Sequence, residues 1–299
     1  MPSAAGKMIR ASVPAAPRAG PPGNDRPGYE RICALIHDRL GILLTPNKHL
    51  MVANRLGRCL HELGLPDYGA LARYVEDDLS GDALDMVAGL IVTNHTYFLR
   101  EPAHFAFLRE VVLPEAERTL SRRGDNDLRL WCAAASTGEE AYSIAMTTME
   151  HFGPRYASLD AGVLATDVSL RALRQGADGR YDATAADRLP PELRGRYFVP
   201  EADGGVRAGP ALRREVLFRK FNLVADAFDF KRPFHAVFCR NVMIYFDKPT
   251  RDRLVAALRR VLTPDGYLFI GHCETIAGGQ HGFRRVAPAV YRRTEKARD

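Results

Sequence analysis

The sequence predicts an α/β protein. Its open parallel sheet is covered on both faces, carries a small inserted β-subdomain and follows a small all-α domain. Three observations predict this. From Leu128 onward, short apolar strands alternate with helices, the pattern of a parallel sheet flanked by crossovers. Between Gly176 and Val216 the alternation fails, in a stretch broken by Pro190-Pro191, Gly204-Gly205 and Gly209-Pro210. That stretch is too long for a simple strand-to-helix connection. From Tyr29 to about Asn94 the apolar spacing is helical throughout.

The helical unit divides at its punctuation. Tyr29–Leu40 places Ile32, Leu35, Ile36 and Leu40 on one face, and Gly41 stops it. Thr45-Pro46 caps and opens a helix to about Leu63, ended by Gly64. Asp67 and Ser80 cap two shorter helices, Tyr68–Asp77 and Asp82–Val92. On the second helix Val52, Ala53, Leu56, Leu60 and Leu63 share a face, while Lys48, Arg55 and Arg58 form a neighbouring basic stripe. Such a stripe is either solvated surface or a docking face for an acidic, elongated partner.

After a helical linker, Pro102–Leu120, come strands Leu128–Ala133, Val163–Asp167, His235–Cys239 and Gly266–Gly271. Helices Glu139–Phe152, Ser169–Gln175 and Thr250–Leu262 lie between them. Phe283–Val286 and Val290–Arg293 form a final strand pair. Ligands of such sheets sit outside the C-terminal strand ends. Those ends are Ala134–Glu140, Asp167, Asn222–Leu223, Arg240–Tyr245 and His272–Glu274.

Composition sets limits. The chain has 299 residues and a formal net charge of +6. Residues 1–27 hold six Pro, three Gly and six Ala, and are expected to form a disordered tail. Lys7, Arg10, Arg18 and Arg26 against Asp25 give that tail half the net charge. No apolar run reaches the ~18–20 residues of a membrane span. The five cysteines include no C-x-x-C pair. They read as reduced cytosolic thiols rather than disulfides or a metal site.

The loop Ala133–Glu140 is small-residued but is neither G-x-G-x-x-G nor a P-loop. It ends in two glutamates, which repel a pyrophosphate and attract a cation. S-adenosylmethionine, with a sulfonium, an ammonium and no phosphate, fits. Asp167 ends the second strand, where an acid accepts from ribose hydroxyls, although it could equally cap the next helix. Together these features indicate a Rossmann-like class I methyltransferase.

Specific strings then accumulate. They are Thr93–Glu101 (TNHTYFLRE), Ala134–Ser143 (AASTGEEAYS), Ala165-Thr166-Asp167, Phe221-Asn222-Leu223, Phe238–Asp247 (FCRNVMIYFD) and Gly271-His272-Cys273-Glu274. In this order the chain resembles the CheR family of chemotaxis receptor glutamate O-methyltransferases, over roughly residues 29–293. The resemblance implies an all-α receptor-docking domain (28–95) and a methyltransferase domain (96–299) with a β-subdomain inserted at about 177–216. It implies cofactor contacts at Asn94, Thr96, Arg100, Ala133, Glu139, Asp167, Asn222, Leu223, Arg240 and Asn241, with Tyr245 facing the path of the methyl group. Family loops often carry Pro after the two glutamates, where this chain has Ala141.

The implied reaction passes a methyl group to a receptor glutamate and leaves S-adenosylhomocysteine. A carboxylate with pKa near 4.3 is already ionised at neutral pH, so no general base is needed. Arg100 and Tyr245 are the catalytic candidates, orienting carboxylate or cofactor. Arg100 could instead only clamp the cofactor, and Tyr245 could be packing. The basic stripe Lys48, Arg55 and Arg58 would dock receptor helices. A cytoplasmic monomer acting on the cytoplasmic helices of chemoreceptors is expected, with no metal and no nucleic acid. The alternatives are a nucleic-acid methyltransferase, which lacks its aromatic-rich basic groove here, and a non-catalytic cofactor sensor. The short turn at Pro200–Pro210 suggests docking independent of a receptor tail peptide.

Overall fold

A computed structural model of the protein describes residues 25–44, 49–91, 95–224, 227–276 and 282–294. The expectations for the tail up to residue 24, for the Thr45-Pro46 helix start, and for Lys48 and Asn94 lie outside the described residues.

Four helices lead. They are α1 (Arg26–Leu40), α2 (His49–Leu63), α3 (Tyr68–Asp77) and α4 (Asp82–Ile91). Helix α1 starts earlier than expected, so the tail boundary at residue 27 is corrected. The reason is Asp25. Its side chain accepts from the Gly28 amide at 3.0 Å and from the Gly69 amide of α3 at 2.8 Å, capping one helix and tying it to another. Gly41 then ends α1 in the left-handed region at φ 70°. The start of α4 is built by Asp78 as well as the expected Ser80, because the Asp78 carboxylate accepts from the Ala83 amide at 2.7 Å.

The connecting helix comes in two pieces, α5 (Pro102–Phe107) and α6 (Leu113–Arg123), joined by a π turn over Leu108–Val112. Then follow β1 (Asp127–Ala133), α7 (Glu139–Phe152), β2 (Asp160–Asp167) and α8 (Leu170–Asp178). The inserted unit holds β3 (Arg180–Tyr181), α9 (Ala183–Ala186), α10 (Pro191–Tyr197), β4 (Phe198–Pro200), β5 (Val206–Ala208) and α11 (Pro210–Arg214). Its strands form an antiparallel sheet in the order β3-β5-β4. The chain closes with β6 (Val216–Lys220), β7 (Phe234–Cys239), α12 (Lys248–Val261), β8 (Leu262–Phe269), β9 (Phe283–Ala287) and β10 (Val290–Arg293).

The main sheet runs β6-β2-β1-β7-β8-β10-β9. Strands β6, β2, β1, β7 and β8 are parallel neighbours, and β10 is antiparallel to both β8 and β9. The chain moves one way from β1 to β2 and β6, then returns to the other side of β1 for β7 and β8. That reversal opens a crevice beyond the C-terminal ends of β1 and β7.

Strand alternation divides the core. Leu128, Leu130 and Cys132 of β1, with Ala236 and Phe238 of β7, join the core that includes α5, α6 and α7. Trp131, Ala133, Val237 and Cys239 join the other face. There they share one continuous core with α12 and with all four leading helices. The all-α unit is therefore packed into the same core as the sheet. Trp131 anchors this face. It is fully buried, its Nε1 donates to Thr166 Oγ1 at 2.9 Å, and it meets the rings of Phe221, Phe228, Phe230 and Phe234.

Trp131→Ala should cost about 3–5 kcal/mol, the usual range for emptying a large aromatic site. Urea denaturation measures it. A conservative Trp131→Phe, which keeps most of the ring contacts, should cost clearly less.

Candidate functional site

The loop that leaves β1 is held in a strained shape. Ala134 (φ 60°), Ser136 (φ 49°) and Gly138 (φ 95°) all lie in the left-handed region, which non-glycine residues rarely adopt. Gly138 needs its glycine twice over, since a Cβ there would also lie 2.9 Å from the Phe218 ring. Two amides of the loop are fastened to the end of β2. The Ala135 amide donates to the Thr166 carbonyl at 2.8 Å, and the Ser136 amide to Asp167 Oδ2 at 2.9 Å. The other Asp167 oxygen accepts from the Ser169 amide at 2.9 Å. Burial pushes the Asp167 carboxyl up, and these amides pull it back.

Opposite stands the turn after β7. Arg240 has a side chain with no exposed surface. Its guanidinium lies 2.8 Å from Glu140 and 3.1 Å from Glu101, and donates to the Arg100 carbonyl at 2.7 Å. Burial pushes Glu140 up against the pull of Arg240. Burial also pushes Glu101 up, but Arg240 and the nearby histidines outweigh it and leave this carboxyl below its ordinary range.

Between loop and turn lies a cavity of about 240 Å³, lined by Thr96, Arg100, Ala134, Ser136, Glu140, Asp167, Arg240, Asn241 and Tyr245 among others. The Ser136 hydroxyl is buried with no partner among the described residues, so a polar ligand has a waiting contact. The Arg100 guanidinium donates to the His95 carbonyl at 2.6 Å. An apolar cleft adjoins the cavity and shares Ala134, Asp167, Val242 and Tyr245 with it. Leu40 and Ala88 from the leading helices and Ile42 just after α1 line that cleft, with Phe221, Asn222 and Leu223. A ligand with one charged polar end and one flat apolar end fits the pair.

Several expected contacts sit differently. Ala133 is buried at the end of β1, and the residue that reaches the cavity is Ala134. Glu139 points elsewhere. Its carboxylate accepts from the Thr137 hydroxyl at 2.6 Å and lines a groove between α4 and α8, while Glu140 lines the cavity. The Asn222 amide group donates to the Arg39 carbonyl at 2.8 Å and accepts from the Val224 amide at 3.0 Å. It fastens the end of α1 to the sheet. Arg240 acts through its buried ion pairs. Arg55 is half-buried and donates to the Ile91 carbonyl at the end of α4, so it joins two helices, while Arg58 is the exposed member of the stripe among the described residues.

The sequence reading gave Glu140 only a share in the cation-attracting glutamate pair, and no role to Glu101, Glu274 or Arg188, although Glu101 and Glu274 stand inside the quoted strings. Arg188 lies over the Tyr97 ring at 4.4 Å, and Arg100 is 5.9 Å from the same ring. A metal has weak support. Glu101, His104 and His272 bring ligand atoms within 4.8 Å of one another. The same Glu101 oxygen already faces Arg240, and a dication there would meet that buried positive charge.

Comparison with known proteins decides the family. The CheR methyltransferase SAM-binding domain matches residues 94–291, and the CheR methyltransferase all-alpha domain matches residues 27–88. The chain belongs to the CheR methyltransferase family. It is 37% identical over 266 residues to the chemotaxis protein methyltransferase of Salmonella typhimurium, covering 88% of each chain. It is 34% identical over 263 residues to that of Borreliella burgdorferi, covering 88% of this chain and 93% of the relative. As a CheR-family protein it is an S-adenosylmethionine-dependent methyltransferase, and the paired polar cavity and apolar cleft suit that cofactor. No helix among the described residues is long and apolar enough to cross a membrane.

The site makes stability pH-dependent. His104 is 1% exposed, its Nε2 faces the Pro288 carbonyl at 3.3 Å, and its Nδ1 lies 3.4 Å from Glu101. Burial and then Arg240 lower its pKa from 6.5 to about 4. The unfolded chain therefore takes up a proton at His104 before the folded chain does. Stability should fall as pH drops from about 6.5 towards 4, by at most about 3 kcal/mol from this residue. Urea titrations at pH 7, 5.5 and 4.5 should show a shallower acid slope in His104→Gln than in the parent.

Proposed function

We propose that this CheR-family protein methylates side-chain carboxylates of glutamates in the cytoplasmic helical region of a chemoreceptor. One observation carries the reading. The carboxylates at the cavity are engaged, Glu140 by Arg240 and Asp167 by two amides, and Arg100 and Tyr245 stand at its wall. Such a site offers a cation and a hydroxyl to an anionic acceptor. A glutamate carboxylate is ionised at neutral pH and is its own nucleophile. The cofactor supplies an electrophilic methyl group on sulfonium. With the cofactor bound, a carboxylate oxygen would take the methyl group as the C–S bond broke, the bonding pair staying on the sulfur of S-adenosylhomocysteine. No proton moves.

The chain's residues position the reactants. Asp167, aimed by the Ser136 and Ser169 amides, accepts from the ribose hydroxyls. Thr96, Ser136 and Asn241 line the polar end, and Leu223 with Phe221 the apolar end. Arg100 neutralises a carboxylate without pairing so closely that it quenches the nucleophile. Alignment supplies most of the rate. Arg58 on α2, beside the exposed Leu50 and Met51, offers a basic and apolar face to an acidic amphipathic helix. That substrate places the enzyme in the cytoplasm.

Labelled methyl from S-adenosylmethionine should pass to cognate receptor membranes as an alkali-labile ester that releases methanol. An alkali-stable product would refute the glutamate reading. Arg58→Glu should lower kcat/KM for receptor by about tenfold, or roughly 1.4 kcal/mol, and leave S-adenosylhomocysteine affinity unchanged. Arg55→Glu should instead lower Tm, because it breaks the bond to the Ile91 carbonyl.

A further inference from the structure

We propose that Glu274 is a positioning residue for methyl transfer, an anion seated among backbone amides that fixes the turn after β7 in the shape the cavity requires. Glu274 lies beyond the end of β8 and is 6% exposed. One carboxylate oxygen accepts from the amides of Asn241 at 2.9 Å and Gly271 at 2.6 Å, and the other from the amide of Ile244 at 3.2 Å. Converging amides of this kind form an anion-binding nest. Here the anion comes from the chain itself and joins the ends of two neighbouring strands.

The turn needs such a clamp. Asn241 sits at φ 59°, a conformation asparagine tolerates better than most residues yet still a strained one. Two residues further, the single turn Met243–Tyr245 brings Tyr245 to the cavity wall. Glu274 itself does not line the cavity, so it acts only through the backbone it holds. Gly271 completes the device. A Cβ there would lie 2.3 Å from Asn241 Nδ2, so only glycine lets the Asn241 side chain lie against the end of β8. Glu274 and Gly271 therefore constrain the same residue, one through its backbone and the other through its side chain.

The kinetic arm of the test rests on the methyl-transfer reading, whereas the affinity arm rests only on cofactor binding. The variants are Glu274→Gln, Glu274→Asp and Gly271→Ala, the last of which disturbs Asn241 without removing a charge. Each is measured well below its own Tm. Expected is a dissociation constant for S-adenosylhomocysteine raised at least tenfold in Glu274→Gln and Gly271→Ala, with a lower kcat on receptor at saturating cofactor. A purely structural Glu274 would lower Tm and leave both unchanged in the folded variants, which would overturn the proposal. Should the variants fail to fold, hydrogen exchange on the parent protein decides. The amides of Asn241, Ile244 and Gly271 should gain protection when S-adenosylhomocysteine binds, and unchanged exchange there would contradict the clamp. A parent that binds S-adenosylhomocysteine but leaves receptor unmethylated would count against the glutamate reading alone.

Discussion

The site depends on one buried guanidinium. Arg240, on the turn after β7, is shared between Glu140 at the start of α7, Glu101 just before α5 and the carbonyl of Arg100. Three segments distant in sequence meet at one charge. Removing one partner of such a group leaves the others buried and uncompensated, at a typical cost of about 3–5 kcal/mol. The interaction therefore fixes geometry more than it adds stability. Arg240 holds the backbone of Arg100, whose own side chain faces the cavity, and it sets the side chain of Glu140 against the wall.

Backbone strain follows the same map. Among the described residues, six non-glycine positions have positive φ; Ala134, Ser136 and Asn241 line this cavity, and Leu99 and Glu101 flank Arg100, which also lines it. The sixth, Ala289, sits in the turn between β9 and β10. Strain of this kind persists only where neighbours impose it. Here the neighbours are identifiable: Ser143 Oγ accepts from the Leu99 amide, Asp167 from Ser136, and Glu274 from Asn241. Polar bonds within the chain itself hold the loops in place, which is what preorganisation requires of a reaction driven by alignment.

Much of this was legible in the sequence, for physical reasons. Alternation along Leu128–Ala133 gave β1 and its two faces, and the small residues after it marked where a ligand approaches. The CheR motifs located most of the cavity. Roles within the motifs were harder to read. Nothing in the run of two glutamates says that Glu140 turns to the cavity while Glu139 keeps to Thr137, because that choice rests on Arg240, one hundred residues away. Arg55 looked like part of a surface stripe, since a helical wheel cannot show a carbonyl on another helix. Strand β6 was marked only by its end at Asn222–Leu223, because Val216 alone is buried in it and its apolar run, Val216-Leu217-Phe218, is three residues long before Arg219-Lys220. The union of the leading helices with the sheet in one core is also a tertiary fact, invisible to local periodicity.

The central claim is that the buried Arg240 assembles the cofactor site. Titration calorimetry with S-adenosylhomocysteine on Arg240→Met, with circular dichroism confirming that the variant is folded, tests it most directly. The account predicts an affinity at least about tenfold weaker than the parent, or roughly 1.4 kcal/mol. A folded Arg240→Met that binds S-adenosylhomocysteine as tightly as the parent would contradict it.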